Sequence, residues 1–201
     1  MKVSYIGTFN PITYGHLLIA ETVYNKLSAN VLFVPTSDLY VKDSLRTLAN
    51  HRIKMIELSI KDNEHCSLDE VEIDSANKYQ RQLKTIETLF ALKDKYQEDI
   101  ALLIGTDNFN TLDDWYQIEE LINNFKIVVY PRLGYEIDLS KHKLYQKYPE
   151  QFIVLDTDLV TNISSTLIRN NFKEEKSNKY LLKDEVIKYI MSHQNDVDYW
   201  K

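Results

Sequence analysis

The feature that most constrains this chain is an alternation of two periods. Short apolar runs, the length of a strand buried on both faces, take turns with longer stretches whose apolar residues recur at helical spacing. The first half reads Val3 to Ile6, then a helix from about Gly15 to Leu27; Asn30 to Val34, then a helix from about Leu48 to Ile60; Ser67 to Ile73, then a helix from about Gln82 to Tyr96. The second half continues with Ile100 to Ile104, a short helix near Tyr116 to Asn123, Lys126 to Tyr130, a helix near Leu139 to Tyr148, Phe152 to Leu155, and a final pair of helices near Ser165 to Phe172 and Asp184 to His193. Strands joined through helices imply right-handed crossovers between parallel neighbours. The pattern predicts an α/β fold: a doubly wound, mostly parallel sheet with helices on both faces. No Pro/Gly/Ser-rich linker or repeat interrupts it, so residues 1–201 read as a single domain with a C-terminal helical appendage from about 165 to 201. Ligands of such sheets bind beyond the carboxyl ends of the strands. That directs attention to the loops after Ile6, Val34, Ile73, Ile104, Tyr130 and Leu155.

Composition narrows the function classes. The 201 residues carry 24 Lys and Arg against 30 Asp and Glu, a formal net charge of -6. Such a balance argues against nucleic acid or an anionic membrane as the main partner, since either calls for a basic stripe. No run approaches a membrane span, and Met1-Lys2-Val3-Ser4 turns polar too early for an export signal, so the expected location is cytoplasmic. The lone cysteine, Cys66, has no second cysteine to pair with and reads as a small buried strand residue. Glycine is scarce, 4 in the chain. Gly7 and Gly105 end apolar runs, Gly15 opens a helix and Gly134 sits in a turn.

The loop after the first run is Gly7-Thr8-Phe9-Asn10-Pro11-Ile12-Thr13-Tyr14-Gly15-His16. A glycine at the strand end lets backbone approach a phosphate, and a helix beginning near Gly15 aims unpaired amides and its positive dipole end at an anion. Neither G-x-G-x-x-G nor G-x-x-x-x-G-K-[ST] occurs, so this polyphosphate seat is of another kind. A histidine at a helix start is most often a cap or a half-buried polar residue, but the whole string G-T-F-N-P-x-T-x-G-H resembles the signature of nucleotidyltransferases with an HxGH or TxGH motif. Further along, Asn162-Ile163-Ser164-Ser165-Thr166-Leu167-Ile168-Arg169 resembles the I-S-S-T-x-I-R segment of the same superfamily. Ser164 and Ser165 are good helix caps in their own right.

Within that superfamily the resemblance is closest to the bacterial nicotinate-nucleotide adenylyltransferases and runs from Val3 to about His193. Ile104-Gly105-Thr106-Asp107-Asn108 with Trp115-Tyr116 resembles the family's G-x-D-(N/S) loop and W-Y pair, and Lys84-Thr85-Ile86-Glu87-Thr88-Leu89 its S-Y-T-x-D-T-L segment. Pro35 to Lys42 matches the register of its P-x-x-x-P-P-H-K loop, and Arg52 and the Arg132-x-Gly134-Tyr135 turn also align. The resemblance implies His16, Thr13 and Arg169 as catalytic residues. It implies an ATP seat of Gly7, Thr8, Phe9, Gly15, His16, Lys42, Arg52, Gly105, Asp107, Ile163, Ser164, Ser165 and Arg169. For the acceptor it implies Asn10, Lys84, Thr85, Trp115, Tyr116 and Arg132, with Trp115 stacking on a pyridine ring and Thr85 helping to bind its carboxylate. Three departures stand out: Thr13 replaces the first His of H-x-G-H, Asp38-Leu39-Tyr40-Val41 replaces much of the P-P-H loop, and Lys84 replaces the Tyr of S-Y-T. The last two bear on acceptor identity, not on reaction type.

The implied reaction is attack of the 5′-phosphate of nicotinate mononucleotide on the α-phosphorus of Mg-ATP, giving nicotinate adenine dinucleotide and pyrophosphate in NAD biosynthesis. A phosphate monoester, with a second pKa of about 6, needs no protein base, so the enzyme's work is alignment and charge neutralisation. Mg2+ travels with ATP on few protein ligands, and no metal site is expected from protein side chains. Two other readings stay open: a related enzyme acting on nicotinamide mononucleotide or another phosphorylated acceptor, and a nucleotide-binding module without turnover. No oligomeric state follows. His51, His65, His142 and His193 lack metal-ligand spacing, and the charge run from Lys173 to Lys183 reads as a solvated connection.

Overall fold

The structure, a computed structural model, describes residues 1–40, 47–135, 138–197 and 199. Strands β1 (Lys2–Gly7), β2 (Asn30–Pro35), β3 (Cys66–Leu68), β4 (Ile100–Gly105), β5 (Lys126–Tyr130) and β6 (Phe152–Val154) form one sheet in the order β3-β2-β1-β4-β5-β6. Every pairing is parallel, so the mostly parallel sheet expected from the sequence is wholly parallel among the described residues. Helices α1 (Tyr14–Leu27), α2 (Ala49–Ile60), α3 (Val71–Tyr79), α4 (Thr85–Tyr96), α5 (Thr106–Phe109), α6 (Ile118–Asn124), α7 (Lys143–Lys147), α8 (Ser165–Lys173) and α9 (Asp184–Ser192) supply the crossovers and cover the faces. The chain starts in the middle of the sheet, runs out to one edge through β3, and returns to β4 beside β1. Strand order reverses there, and the crevice above β1 and β4 is the place for a ligand.

The continuous apolar runs divide residue by residue between two cores. In β2, Val31 and Phe33 join one cluster and Leu32 and Val34 the other; in β4, Ala101 and Leu103 part in the same way from Leu102 and Ile104. That is the period of two of a strand covered on both sides. Ile168 and Phe172 of α8 and Val186 and Ile190 of α9 share the first cluster with Val3, Val23 and Met55.

The run Ser67 to Ile73 departs from expectation. The strand stops at Leu68, and Val71 and Ile73 belong to α3. Asp69 turns the chain by accepting the Val71 amide at 2.9 Å, and Glu72 and Asp74 then occupy the first helical turn, where negative charge suits the dipole. The helix expected from Leu139 to Tyr148 shortens to Lys143–Lys147, and α4 begins at Thr85 instead of near Gln82. Cys66 is in a strand as expected but only half-buried. Among the described residues no helix is long and apolar enough to cross a membrane.

Candidate active site

The loop after β1 presents a helix start to the crevice. Phe9 takes a φ of 45°, unusual for a bulky residue, and buries its ring edge-on to Tyr5, His16 and Phe33. Thr13 then caps α1. Its hydroxyl oxygen accepts the His16 amide at 3.4 Å, and the Thr13 amide donates to His16 Nδ1 at 3.0 Å. That second bond requires an unprotonated Nδ1, so the proton of the neutral ring sits on Nε2 and is left for the cleft. Burial, with the Arg132 charge second, pulls His16 down to about 4, which keeps the ring neutral at neutral pH.

The second motif meets the first through backbone. Ser164 caps α8 by accepting the Leu167 amide at 3.2 Å. Ser165 Oγ donates to the Pro11 carbonyl at 2.8 Å, and Arg169 donates to the Asn10 carbonyl at 2.7 Å. A Cβ on Gly15 would stand 2.4 Å from the Ile163 carbonyl oxygen, so only glycine permits this approach. The starts of α1 and α8 therefore meet at one cleft of about 660 Å³, lined there by Gly15, His16, Ser164, Ser165 and Thr166. Its far wall is the end of β4. There Arg132 pairs with Asp107 at 2.7 Å, while the other oxygen of Asp107, Oδ1, is buried with no hydrogen-bond partner among the described residues.

Most of the residues singled out in the sequence line this cleft: Gly7, Thr8, Phe9, Gly15, His16, Gly105, Asp107, Ile163, Ser164, Ser165 and Arg169, with Thr85, Trp115 and Arg132. Others stand elsewhere. Thr13 is 1% exposed and spends its groups on His16, so it holds the histidine and offers no hydroxyl to the cleft. Arg52 is completely buried: it donates to the carbonyls of Thr47, Thr8 and Thr36 at 3.1, 3.0 and 2.7 Å and pairs with Asp38 at 3.1 Å. It ties the loops after β1 and β2 together, and its donors are not turned to a triphosphate. Asn10 is buried, its side-chain oxygen accepting the Tyr199 hydroxyl at 2.6 Å. Tyr116 is exposed on the rim, with Lys84 Nζ 5.9 Å from its ring. Lys42 lies outside the described residues.

The cleft wall also includes Glu72, which the sequence reading misses because Ser67 to Ile73 looks like a strand, and Gln82, which it takes as a helix start. The available signal was the acidic series Asp69, Glu70, Glu72, Asp74, which marks a helix start.

A doubly wound sheet with two capped helix starts meeting around a histidine at the strand switch point defines a nucleotidyltransferase-type domain. In keeping with this, the family model described as Cytidylyltransferase-like matches residues 4–171. A protein of Caldicellulosiruptor bescii named "Probable nicotinate-nucleotide adenylyltransferase" is 34% identical over 194 residues, covering 94% of this chain and 96% of that protein. The "Nicotinate-nucleotide adenylyltransferase" of Bacillus subtilis is 30% identical over 187 residues, 92% of each chain. The chain belongs to the nicotinate-nucleotide adenylyltransferase family. The solved structure of "Plasmodium falciparum nicotinic acid mononucleotide adenylyltransferase complexed with NaAD" shares the fold, with a TM-score of 0.80 at 20% identity over 99% of this chain and 98% of that one.

Proposed function

We propose that this chain transfers the adenylyl group of ATP to nicotinate mononucleotide, forming nicotinate adenine dinucleotide and pyrophosphate in NAD biosynthesis. The observation that carries the reading is the meeting of the α1 and α8 starts around a neutral His16 whose Nε2 proton is reserved for the cleft. The triphosphate lies against these helix starts, with His16 Nε2 donating to it and Arg169 offsetting its charge. The acceptor's 5′-phosphate, largely dianionic near pH 7, attacks the α-phosphorus unaided. The donors are already in place before charge shifts onto the leaving pyrophosphate, which is where fixed hydrogen bonds lower a barrier. Asp107 accepts a nucleotide hydroxyl, Trp115 stacks on the pyridine ring and Thr85 contacts its carboxylate.

Among the described residues no group of three or more His, Cys, Asp or Glu is placed to hold a metal. Mg2+ would arrive on the triphosphate itself, where it neutralises phosphate charge.

The test is pyrophosphate release from Mg-ATP with nicotinate mononucleotide and, separately, nicotinamide mononucleotide. The acid is expected to be strongly preferred, and His16→Ala to lower turnover on the order of 10²-fold, as loss of a single charge-stabilising donor does. Unaltered turnover in His16→Ala overturns the phosphate seat; release with neither acceptor overturns the reaction.

A further inference from the structure

Glu72 is a carboxylate that the reaction does not use, 2% exposed on α3 yet part of the cleft wall beside Gln82, Leu83 and Thr85. Its Oε1 accepts the Thr88 hydroxyl at 2.7 Å and its Oε2 accepts Gln82 Nε2 at 2.5 Å. The Gln82 side-chain carbonyl in turn accepts the Ser37 hydroxyl at 2.5 Å. Gln82 precedes Thr85, and Thr88 follows it by almost one turn of α4, so the segment is held on both sides of Thr85 from behind. His16, Ser164 and Arg169 are held by a separate set of bonds, to Thr13, Leu167 and Asn10. Burial raises the Glu72 carboxyl above its usual range, while the bonds from Thr88 and Gln82 and the charge of Arg52 pull the other way.

We propose that Glu72 is a positioning residue for the acceptor: it fixes Leu83 to Thr85 at the cleft wall and, through them, the part of the cleft that reads the acceptor's ring. This rests on the adenylyl-transfer reading above. A glutamine at this position can keep the network without the charge. Its oxygen still accepts Thr88, and its amide donates to Gln82 once that side chain turns over, the Ser37 hydroxyl rotating to accept. An alanine cannot, and leaves Gln82 and Thr88 without their shared partner.

Steady-state kinetics of the full chain separates the possibilities. Glu72→Ala is expected to raise the KM for nicotinate mononucleotide about tenfold while the KM for ATP and kcat stay within about twofold, the signature of lost acceptor binding. Glu72→Gln is expected to recover most of the loss. An equal rise in both KM values, a fall confined to kcat, or a glutamine variant as impaired as the alanine overturns the proposal. Should thermal melting show Glu72→Ala to be unfolded, Gln82→Ala takes its place with the same expected split. The wild-type arm reports separately on the reaction: a wild type that releases no pyrophosphate overturns the adenylyl-transfer reading, whatever the variants do.

Discussion

The two ends of the cleft are held in different ways. At the end proposed for the triphosphate, Thr13, Ser165 and Arg169 are bonded to backbone or to His16, and two of the bonds join residues 154 and 159 positions apart. At the end proposed for the acceptor, Tyr116 is 57% exposed, Lys84 reaches it only as a cation over a ring, and Trp115 is half-buried against the second core. Donors that must meet developing charge gain from being fixed beforehand, whereas a rim that sorts acceptors is built from side chains each worth little. The contrast explains how the departure at Lys84 coexists with a first motif in which Thr13, in the place of a histidine, still holds His16.

The contrast can be broken most forcefully at Arg52. Arg52→Met keeps the bulk but strips the donors from three carbonyls and leaves Asp38 unpaired, and is expected to cost about 3 kcal/mol or more of stability in urea unfolding. A loss of only a few tenths would mean that the loops after β1 and β2 hold without it. Next is the pH dependence of stability. His16 is depressed to about 4 in the folded chain, so as pH falls from about 6.5 to 4 the unfolded chain takes up a proton that the folded one refuses. Stability therefore drops across that window, by up to about 3 kcal/mol from this group. Glu72, shifted upward, works in the opposite direction, so the contribution is read as the difference between wild type and His16→Gln, whose stability should lack this part of the slope. At the other end of the cleft, Trp115→Ala is expected to raise the acceptor KM about tenfold, the worth of one stacked ring, without moving the KM for ATP. Lys84→Ala should change the acceptor KM only about twofold, as befits an exposed cation over a ring; a tenfold effect would place Lys84 in the cleft and erase the contrast.

The inner strands β2, β4 and β5 were legible because each is a short apolar run whose two faces need no sorting in the sequence: both are buried. The start of α1 beside His16 was legible because helix capping is a local rule. What escaped depends on distance through space. Nothing in the sequence distinguishes an Arg52 that faces phosphate from one that closes on Thr8, Thr36 and Thr47, since both want a basic residue in the same register. Thr13 was legible as a hydrogen-bonding residue but not in its direction, which the capping of α1 decides. Glu72 escaped because β-branched Val71 and Ile73 imitate a strand, and the turn at Asp69 outweighs them.

The bond from Tyr199 to Asn10 spans 189 positions. On a ribosome adding about 5–20 residues per second, the first loop emerges about 10 to 40 s before that partner is made. Throughout that interval most of the sheet can assemble, but until residues 165 and 169 follow, the histidine loop lacks its bonds to α8 and is held by its own cap and by Arg52. A nascent chain thus carries the chemical group long before it has a seat for nucleotide, and a product released early would keep the histidine while lacking the arrangement that makes it useful.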